Sequence, residues 1–254
     1  YLDYCDNNMV SGNTANNNSY GIFFVESNNN ILSENSANNN SYYGIWLYGS
    51  DYNPISGNNV SFNLEYGILL RDSNYNMVSG NTVSYNSYGI QINSSNRNTI
   101  SSNNVHTNDV HGIYLSKVSN NNIVSGNTAN YNNYYGIHLS YSDNNFVSGN
   151  VVEYNSHGVH LNSSNHNTVS GNNASNNIYG INLENSHYIM VSQNIVNYNN
   201  YSGIYLNESN ISMISGNIAS DNGEHGIHLD NCDNNNVSEN TANRNNYGII
   251  LYES

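Results

Sequence analysis

The chain has 254 residues with 18 acidic and 4 basic side chains, a net charge of −14, and only 9% charged residues in total. Nucleic acids and anionic membranes are bound largely through Lys and Arg, so this charge balance argues against both as partners. No window approaches 18 consecutive apolar residues, and we expect no direct membrane insertion. About a quarter of the residues are Asn, a composition that alone would indicate low complexity.

A repeat of 22 to 24 residues overturns that interpretation, because it runs through the whole chain. A Gly-Ile or Gly-Val dipeptide marks each copy, beginning at Gly21, Gly44, Gly67, Gly89, Gly112, Gly136, Gly158, Gly180, Gly203, Gly226 and Gly248. Apolar residues two apart in Gly-Ile-x-Leu fit a strand with one buried face, and the segments between Asn, Gly and Ser turns are too short for helices. We therefore predict one all-β domain over residues 1–254, a parallel β-helix (solenoid) of about eleven coils with three short strands per coil.

Asparagine columns are expected to support the corners of the coils. One column is complete in every repeat, at Asn13, Asn35, Asn58, Asn81, Asn103, Asn127, Asn150, Asn172, Asn194, Asn217 and Asn240. A second runs five residues later, from Asn18 to Asn245, and a third is broken at Ile189 and Ser212. Asn tolerates left-handed backbone at a sharp corner, and inward amides can donate from coil to coil, which predicts structural asparagine ladders.

The stack of coils sets the length and the ends of the molecule. Ten steps of ~4.8 Å make a rod roughly 48 Å long. Cys5 and Cys232 share one repeat column ten coils apart, so no disulfide can join them. Because the chain begins and stops at one phase of the repeat without a polar cap, we expect further coils or a partner at its open ends.

The repeat unit is nearly intact from Tyr135 to Asn155 as Tyr-Gly-Ile-x-Leu-x-x-Ser-x-Asn-Asn-x-Val-Ser-Gly-Asn followed by a short third strand. It resembles the right-handed parallel β-helix repeats of the pectate-lyase-like superfamily. Within that group it is similar to the Asn-rich NosD-type and carbohydrate-binding repeats of methanogenic-archaeal cell-surface proteins. The resemblance implies a right-handed coil and an exported, glycan-associated protein. Ten Asn-x-Ser/Thr sequons agree with export and glycosylation.

Aromatic and histidine side chains occupy the outward position between the Ile and Leu columns. A row of such rings on a flat sheet can stack against sugars, which predicts glycan contact. The candidates are Trp46, Tyr114, His138, His160, Tyr205 and His228. Stacking between neighbouring coils, which also stabilises sheets, is the alternative interpretation.

His138 and His160 lie one coil apart in this column and could share a transition metal. A metal site needs a third ligand and supporting groups, and the repeat places no carboxylate beside this pair. The NosD likeness suggests copper, but its motif transfers no ligand positions to this sequence. We therefore predict no metal site and no cofactor.

Carboxylates concentrate near the end of the chain, with Glu224 and Asp230 beside His228 as candidate catalytic residues. Glycoside hydrolases use two carboxyl groups roughly 5–10 Å apart, which neighbouring coils could supply. An acidic surface or a Ca²⁺-binding patch is the alternative. Repeat enzymes usually insert long loops where substrate binds, and these coils vary by only two residues, which favours the noncatalytic interpretation.

All four methionines fall in one outward column with other apolar residues. We call this column the apolar stripe; its self-association candidates are Met9, Ile31, Met77, Ile123, Phe146, Met190 and Met213. Contiguous exposed apolar surface marks interaction sites, and Met adapts to docking partners. The stripe predicts association with further copies or with other envelope proteins.

The leading functional hypothesis is an extracellular cell-surface rod, part of an archaeal envelope, sheath or surface layer, that self-associates and contacts polysaccharide. The alternatives are a polysaccharide-active enzyme of hydrolase or lyase type, and a copper-handling NosD-like protein. Release of sugar from a glycan would favour the first alternative, and bound metal the second.

Overall fold

The computed structural model describes all 254 residues as one parallel β-solenoid without helices. Its first side is a twelve-stranded sheet made of Leu2–Asp3, Tyr20–Val25, Tyr43–Tyr48, Tyr66–Arg71, Tyr88–Asn93, His111–Ser116, Tyr135–Ser140, His157–Asn162, Tyr179–Glu184, Ser202–Asn207, His225–Asp230 and Tyr247–Tyr252. Each strand pairs in parallel with the strand one repeat away, which confirms the predicted fold. No helix in this structure could serve as a membrane span.

The second side is an eleven-stranded parallel sheet of three-residue strands. These are Met9–Ser11, Ile31–Ser33, Pro54–Ser56, Met77–Ser79, Thr99–Ser101, Ile123–Ser125, Phe146–Ser148, Thr168–Ser170, Met190–Ser192, Met213–Ser215 and Asn236–Ser238. In each strand the middle residue points inward, so the first and last residues form two outward columns.

The third side forms a regular sheet only between residues 59 and 130. Its four-stranded sheet contains Asn59–Ser61, Thr82–Ser84, Asn104–His106 and Thr128–Asn130. Elsewhere this side is held by single parallel bridges, such as Val151 with Asn173 and Ile195 with Ile218. Each coil thus has the three expected strand positions, with the third often reduced to one bridge.

The core is a continuous column of 40 buried residues inside the three sides. The Ile and Leu columns, represented by Ile113 and Leu115, face the Val column of the second sheet and the Ala/Val column of the third side. Identical or similar side chains stack directly on one another through the coils because the registers never slip. Burial of these side chains supplies the main stabilisation of the rod.

The predicted asparagine ladder is present at every step. Each Nδ2 of the complete column donates to the Oδ1 of the asparagine in the next coil, from Asn13 to Asn240, at 2.9–3.0 Å. The backbone N–H of each asparagine donates to that same Oδ1, as Asn103 does to Asn127 at 3.0 Å. Where the third column is broken, the Ile189 N–H donates to Ser212 Oγ at 3.0 Å and continues the chain of bonds.

The left-handed corners lie one residue earlier than the sequence interpretation placed them. In one coil Glu26, Asn29, Glu34 and Asn39 all have φ between +45° and +57°, whereas the ladder residue Asn35 does not have positive φ. The residue before each ladder asparagine makes the turn, and the asparagine amide then points inward to satisfy the corner. The asparagine is therefore selected for its hydrogen bonds and not for its backbone conformation.

A serine ladder accompanies the asparagine ladders, and the sequence interpretation did not identify it. Backbone N–H groups donate to the serine Oγ of the next coil, as Ser27 does to Ser50 at 3.0 Å. The two cysteines occupy this column: Ser209 N–H donates to Cys232 Sγ at 3.3 Å, and Cys5 N–H donates to Ser27 Oγ at 3.0 Å. Both thiols are free, which confirms that no disulfide joins them.

Candidate functional site

A strip of buried polar side chains runs along the outer face of the twelve-stranded sheet. We call it the central strip, defined by Gln91, Tyr114, His138, His160 and Asn182 in five successive strands. Alternation from the buried Ile and Leu columns directs these side chains outward. Four of them are nevertheless less than 9% exposed, and Tyr114 is half-buried. Something at the surface must therefore cover them.

The cover is the column of Tyr and His residues that precede the repeat glycines. The Tyr135 ring centroid lies 4.8 Å from that of His111, 4.6 Å from that of His138 and 4.5 Å from that of His160. His138 stacks between Tyr114 at 4.8 Å and His160 at 4.9 Å. These rings form one packed cluster in which every imidazole contacts an aromatic face or edge.

The local reason for this arrangement is the repeat glycine. A Cβ built on Gly136 would point into the rod, 2.1 Å from Val152 Cγ1 and 2.9 Å from Asn155 Nδ2. Gly136 and the following Ile137 thus both face inward, so the usual alternation is broken and Tyr135 is turned to the outside. The glycine places the tyrosine next to the central strip.

Several buried polar atoms of the central strip have no hydrogen-bond partner within the protein. They are Gln91 Oε1, His138 Nε2, His160 Nδ1 and Nε2, and Asn182 Oδ1, and the neighbouring His111 Nδ1 is likewise without a partner. His138 Nδ1 lies 3.4 Å from His111 Nε2, and His160 Nε2 lies 3.5 Å from Glu184 Oε2. Native proteins pair nearly all buried polar groups, so these atoms require partners from outside the chain, either water or a polar ligand.

Glu184 corrects the expectation that no carboxylate lies beside the histidine pair. The side chain stands one coil beyond His160, at the rim of the strip. The close approach of the His160 imidazole lowers the pKa of the Glu184 carboxyl below its usual range. The flanking columns of these five strands contain no other charged side chain, so the strip has a negative rim.

Burial favours the neutral imidazole at His111, His138 and His157. It lowers the pKa of His111 and of His157 from 6.5 to about 4. It also lowers the pKa of His138 well below 6.5, with further lowering by the neighbouring His160 and His111. At neutral pH these three imidazoles are therefore uncharged and can offer hydrogen-bond donors and acceptors to a ligand.

This shift predicts that acid destabilises the rod through the histidines. Below pH 6.5 His111 and His157 become protonated in the unfolded chain, whereas in the folded chain they stay neutral until about pH 4. The free energy of unfolding therefore falls as the pH drops from 6.5 to 4. The repeat uses Tyr at this column, so His111→Tyr with His157→Tyr is a compatible control. We expect the loss in melting temperature between pH 7 and pH 4 to be at least about 5 °C larger in the parent chain. Superimposable melting curves of the two proteins against pH would contradict this origin of the acid sensitivity.

The other predicted glycan contacts lie on the same face but outside the cluster. Trp46 stacks on Phe23 at a centroid distance of 4.0 Å, and its buried Nε1 has no partner in the protein. The Tyr205 hydroxyl donates to Asp230 Oδ2 at 3.3 Å, and His228 packs against His225 at 4.5 Å. The six predicted residues thus share one column, with three of them in the central strip.

The candidate catalytic carboxylates do not lie side by side. Glu224 precedes the strand His225–Asp230 and Asp230 ends it, so the two lie six residue steps apart, roughly 20 Å of extended chain. Paired carboxyl groups of glycoside hydrolases stand 5–10 Å apart. Burial lowers the pKa of His228 between them, and no pocket indents this part of the surface.

Sequence reasoning identified the outward column but missed His111, Tyr135 and Glu184 as its partners. The sequence shows that Tyr135 precedes a repeat glycine. Its contacts with His111 and His160 in the two neighbouring coils depend on the side-chain rotamers, which the repeat does not specify. Glu184 occupies a variable column that also contains Val25, Tyr48, Arg71 and Asp230, so the repeat gave no signal that singled it out. The periodic pattern of the sequence does not predict how individual side chains pack between coils.

Solved structures of two epimerases and a tailspike protein share this fold. A double mutant of the periplasmic alginate epimerase AlgG superimposes with a TM-score of 0.80 at 19% identity, over 93% of this chain and 69% of that one. The A-module of the Azotobacter vinelandii mannuronan C-5 epimerase AlgE6 gives 0.84 at 16% identity, over 97% and 77%. The Dettilon tailspike protein gives 0.68 at 13% identity, over 96% and 56%. No curated protein matches the sequence.

A family model described as periplasmic copper-binding protein (NosD) matches residues 1–130, 89–177 and 124–254. The side chains of this chain do not fit a resident copper centre, because no three His, Cys, Asp or Glu residues lie close enough together to hold a metal ion. His111 and His138 supply only a pair of nitrogens, and the two cysteines are ten coils apart. The matches nevertheless cover the whole sequence, and the chain belongs to the NosD family of parallel β-helix repeat proteins.

Proposed function

We propose that this protein is a noncatalytic rod outside the cytoplasm that binds a neutral polysaccharide along the central strip. The observation that carries the proposal is the row of unpaired buried donors and acceptors, flanked by tyrosine rings, on one face of the sheet. The NosD family and the alginate epimerase AlgG are described as periplasmic, which supports the location. AlgG and AlgE6 are epimerases of alginate and mannuronan, which supports polysaccharide as the ligand class. A surface-layer or sheath role is one form of the same proposal.

The chemistry of the strip favours sugars. Tyr135 and Tyr114 offer flat faces for pyranose C–H groups, and the neutral imidazoles and the Asn182 amide offer hydrogen bonds to hydroxyls. Successive coils repeat these groups every ~4.8 Å along the rod, a spacing comparable to the length of one sugar unit. A polysaccharide lying along the rod would meet a similar environment at each unit.

A neutral glycan is favoured over an acidic one. Glu184 is the one charged side chain among the strip and its flanking columns over five strands, and the whole chain carries −14. An anionic polysaccharide would meet this charge without a neighbouring Arg or Lys to offset it. Catalysis is disfavoured because no covering loop or pocket excludes water from a bound sugar.

Binding to a panel of neutral polysaccharides tests the proposal. Hydroxyethylcellulose, a galactomannan and a xylan, with alginate as acidic comparison, would be titrated against the chain by calorimetry. We expect binding to at least one neutral polymer and a loss of at least tenfold in affinity in Tyr135→Ala. Tyr131→Ala is the matched control, because Tyr131 stands in the same coil on an exposed corner and stacks on Tyr154.

The expected control result is unchanged affinity, with no sugar released from any polymer. Preference for alginate, or equal losses in the two tyrosine variants, would contradict the proposed site. Release of product that disappears in Glu224→Ala would instead establish a polysaccharide-active enzyme.

A further inference from the structure

The outer face of the eleven-stranded sheet is an exposed surface without an assigned role. Side chains of the apolar stripe stack on one another through the coils, as Ile123 does on Phe146 and Met190 does on Met213. Phe146 is 51% exposed and Met77 is 47% exposed, although both lie in regular structure. The stripe therefore forms a ridge along the rod that is interrupted at Thr99 and Thr168 and ends at Asn236, next to an unbroken column of serines from Ser11 to Ser238.

This face is also free of charge. None of the 22 outward positions of its strands is Asp, Glu, Lys or Arg, in a chain with a net charge of −14. The acidic residues lie on the other faces and at corners. Two copies that meet through this face bring no like charges into direct contact.

The size of the face suits a stable interface. In the coil of Ile123 the face is bounded by left-handed corners at Asn121 and Gly126, five residues apart. Five strand steps of ~3.3 Å and ten coil steps of ~4.8 Å give roughly 800 Å², which is the area that a standard interface buries on each partner.

We propose that the occupant of this face is a second copy of the chain, packed antiparallel with stripe against stripe. The side chains of the ridge repeat every ~4.8 Å along the rod. A partner can pack against all of them in the same way only if its own surface has the same spacing, and a second copy of the chain has this spacing. A twofold axis across the rods places apolar column on apolar column and serine on serine. An axis along the rods would instead place each apolar column on serines and bury hydroxyls against hydrocarbon.

Analytical ultracentrifugation tests the contact. The parent chain is expected to form a dimer, and Phe146→Asp with Met190→Asp to raise the dissociation constant at least a hundredfold. Tyr131→Asp with Tyr198→Asp is the matched control, since it replaces two exposed aromatic residues at corners by the same charges. Circular dichroism verifies the fold of each variant. A monomeric parent, an unchanged dimer in the stripe variant, or equal dissociation in the control would overturn the proposal.

Cysteine cross-linking tests the orientation. Replacing Cys5 and Cys232 by Ser, the usual residue of their column, gives a thiol-free background. In a fully overlapped antiparallel pair, the second coil of one copy faces the tenth coil of the other. Ile31→Cys chains should therefore cross-link to Met213→Cys chains on mixing and not to one another. Cross-linking of Ile31→Cys with itself would contradict the antiparallel arrangement.

Discussion

Replacing Asn127 by leucine is expected to destabilise the rod by about 2–6 kcal/mol, because two buried donors of Asn103 lose their acceptor and each costs about 1–3 kcal/mol. Those donors are the backbone N–H and Nδ2 of Asn103, at 3.0 and 2.9 Å from Asn127 Oδ1. The change also removes the Nδ2 that donates to Asn150 Oδ1 at 3.0 Å and to the Ile100 carbonyl at 2.9 Å. A leucine in this column therefore leaves two N–H hydrogens of Asn103 without an acceptor and removes one donor to Asn150 and one to Ile100.

Asn240→Leu is the matched control for the ladder. Asn240 accepts the same two bonds from Asn217, but it is only half-buried and donates to one carbonyl, that of Ile214. Water can replace the lost amide there, so we expect less than half of the effect measured at Asn127. Melting followed by circular dichroism measures both variants, and equal shifts would refute the ladder as a source of stability.

Gly112→Ala is expected to cost about 3 kcal/mol or to prevent folding. A Cβ at this position would lie 2.6 Å from the Gly136 carbonyl oxygen and 2.7 Å from Asn132 Nδ2, both in the next coil. The neighbouring backbone cannot move without breaking the register of the stacked coils, so the overpacking is not easily relieved. The repeat glycine is required for space inside the rod.

Gly149→Ala tests whether any glycine would behave in this way. Gly149 has φ of +63° and no atom within 4 Å of a built Cβ, and its column tolerates Glu34, Ser102 and Gln193 at positive φ. We expect a cost of about 1–2 kcal/mol from the backbone conformation alone. Denaturant unfolding compares the two alanines, and a cost at Gly149 as large as that at Gly112 would contradict the close-approach explanation.

The repeat predicted the fold because each structural requirement recurs in every coil. The inward Ile and Leu columns and the complete Asn column are each present in all eleven repeats, and a solenoid is the arrangement that stacks all of them. The serine ladder was equally periodic, but serine is common at surfaces and its column gave no separate signal. The asparagine ladder was predicted correctly, although the left-handed backbone belongs to the residue before it.

The candidate site was predicted only as a column. His138 and His160 were identified from their repeat phase, whereas the contacts of Tyr135 with both rings arise from side-chain packing between coils. Glu184 lies beside His160 in a column whose residue type varies between coils, so the repeat pattern does not predict this contact. The contacts of residues that differ from the repeat consensus can be identified only from the structure.

Hydroxyl-radical footprinting of the chain with its best neutral polysaccharide tests the central claim most directly. Tyrosines of two columns are compared, since both are exposed or half-exposed but lie on different faces. Binding along the central strip predicts protection of Tyr88, Tyr135 and Tyr179, and unchanged labelling of the corner residues Tyr131, Tyr154 and Tyr198. Protection of the corner tyrosines, or no protection at Tyr135 under saturating polysaccharide, would contradict the proposal that the strip is the binding site.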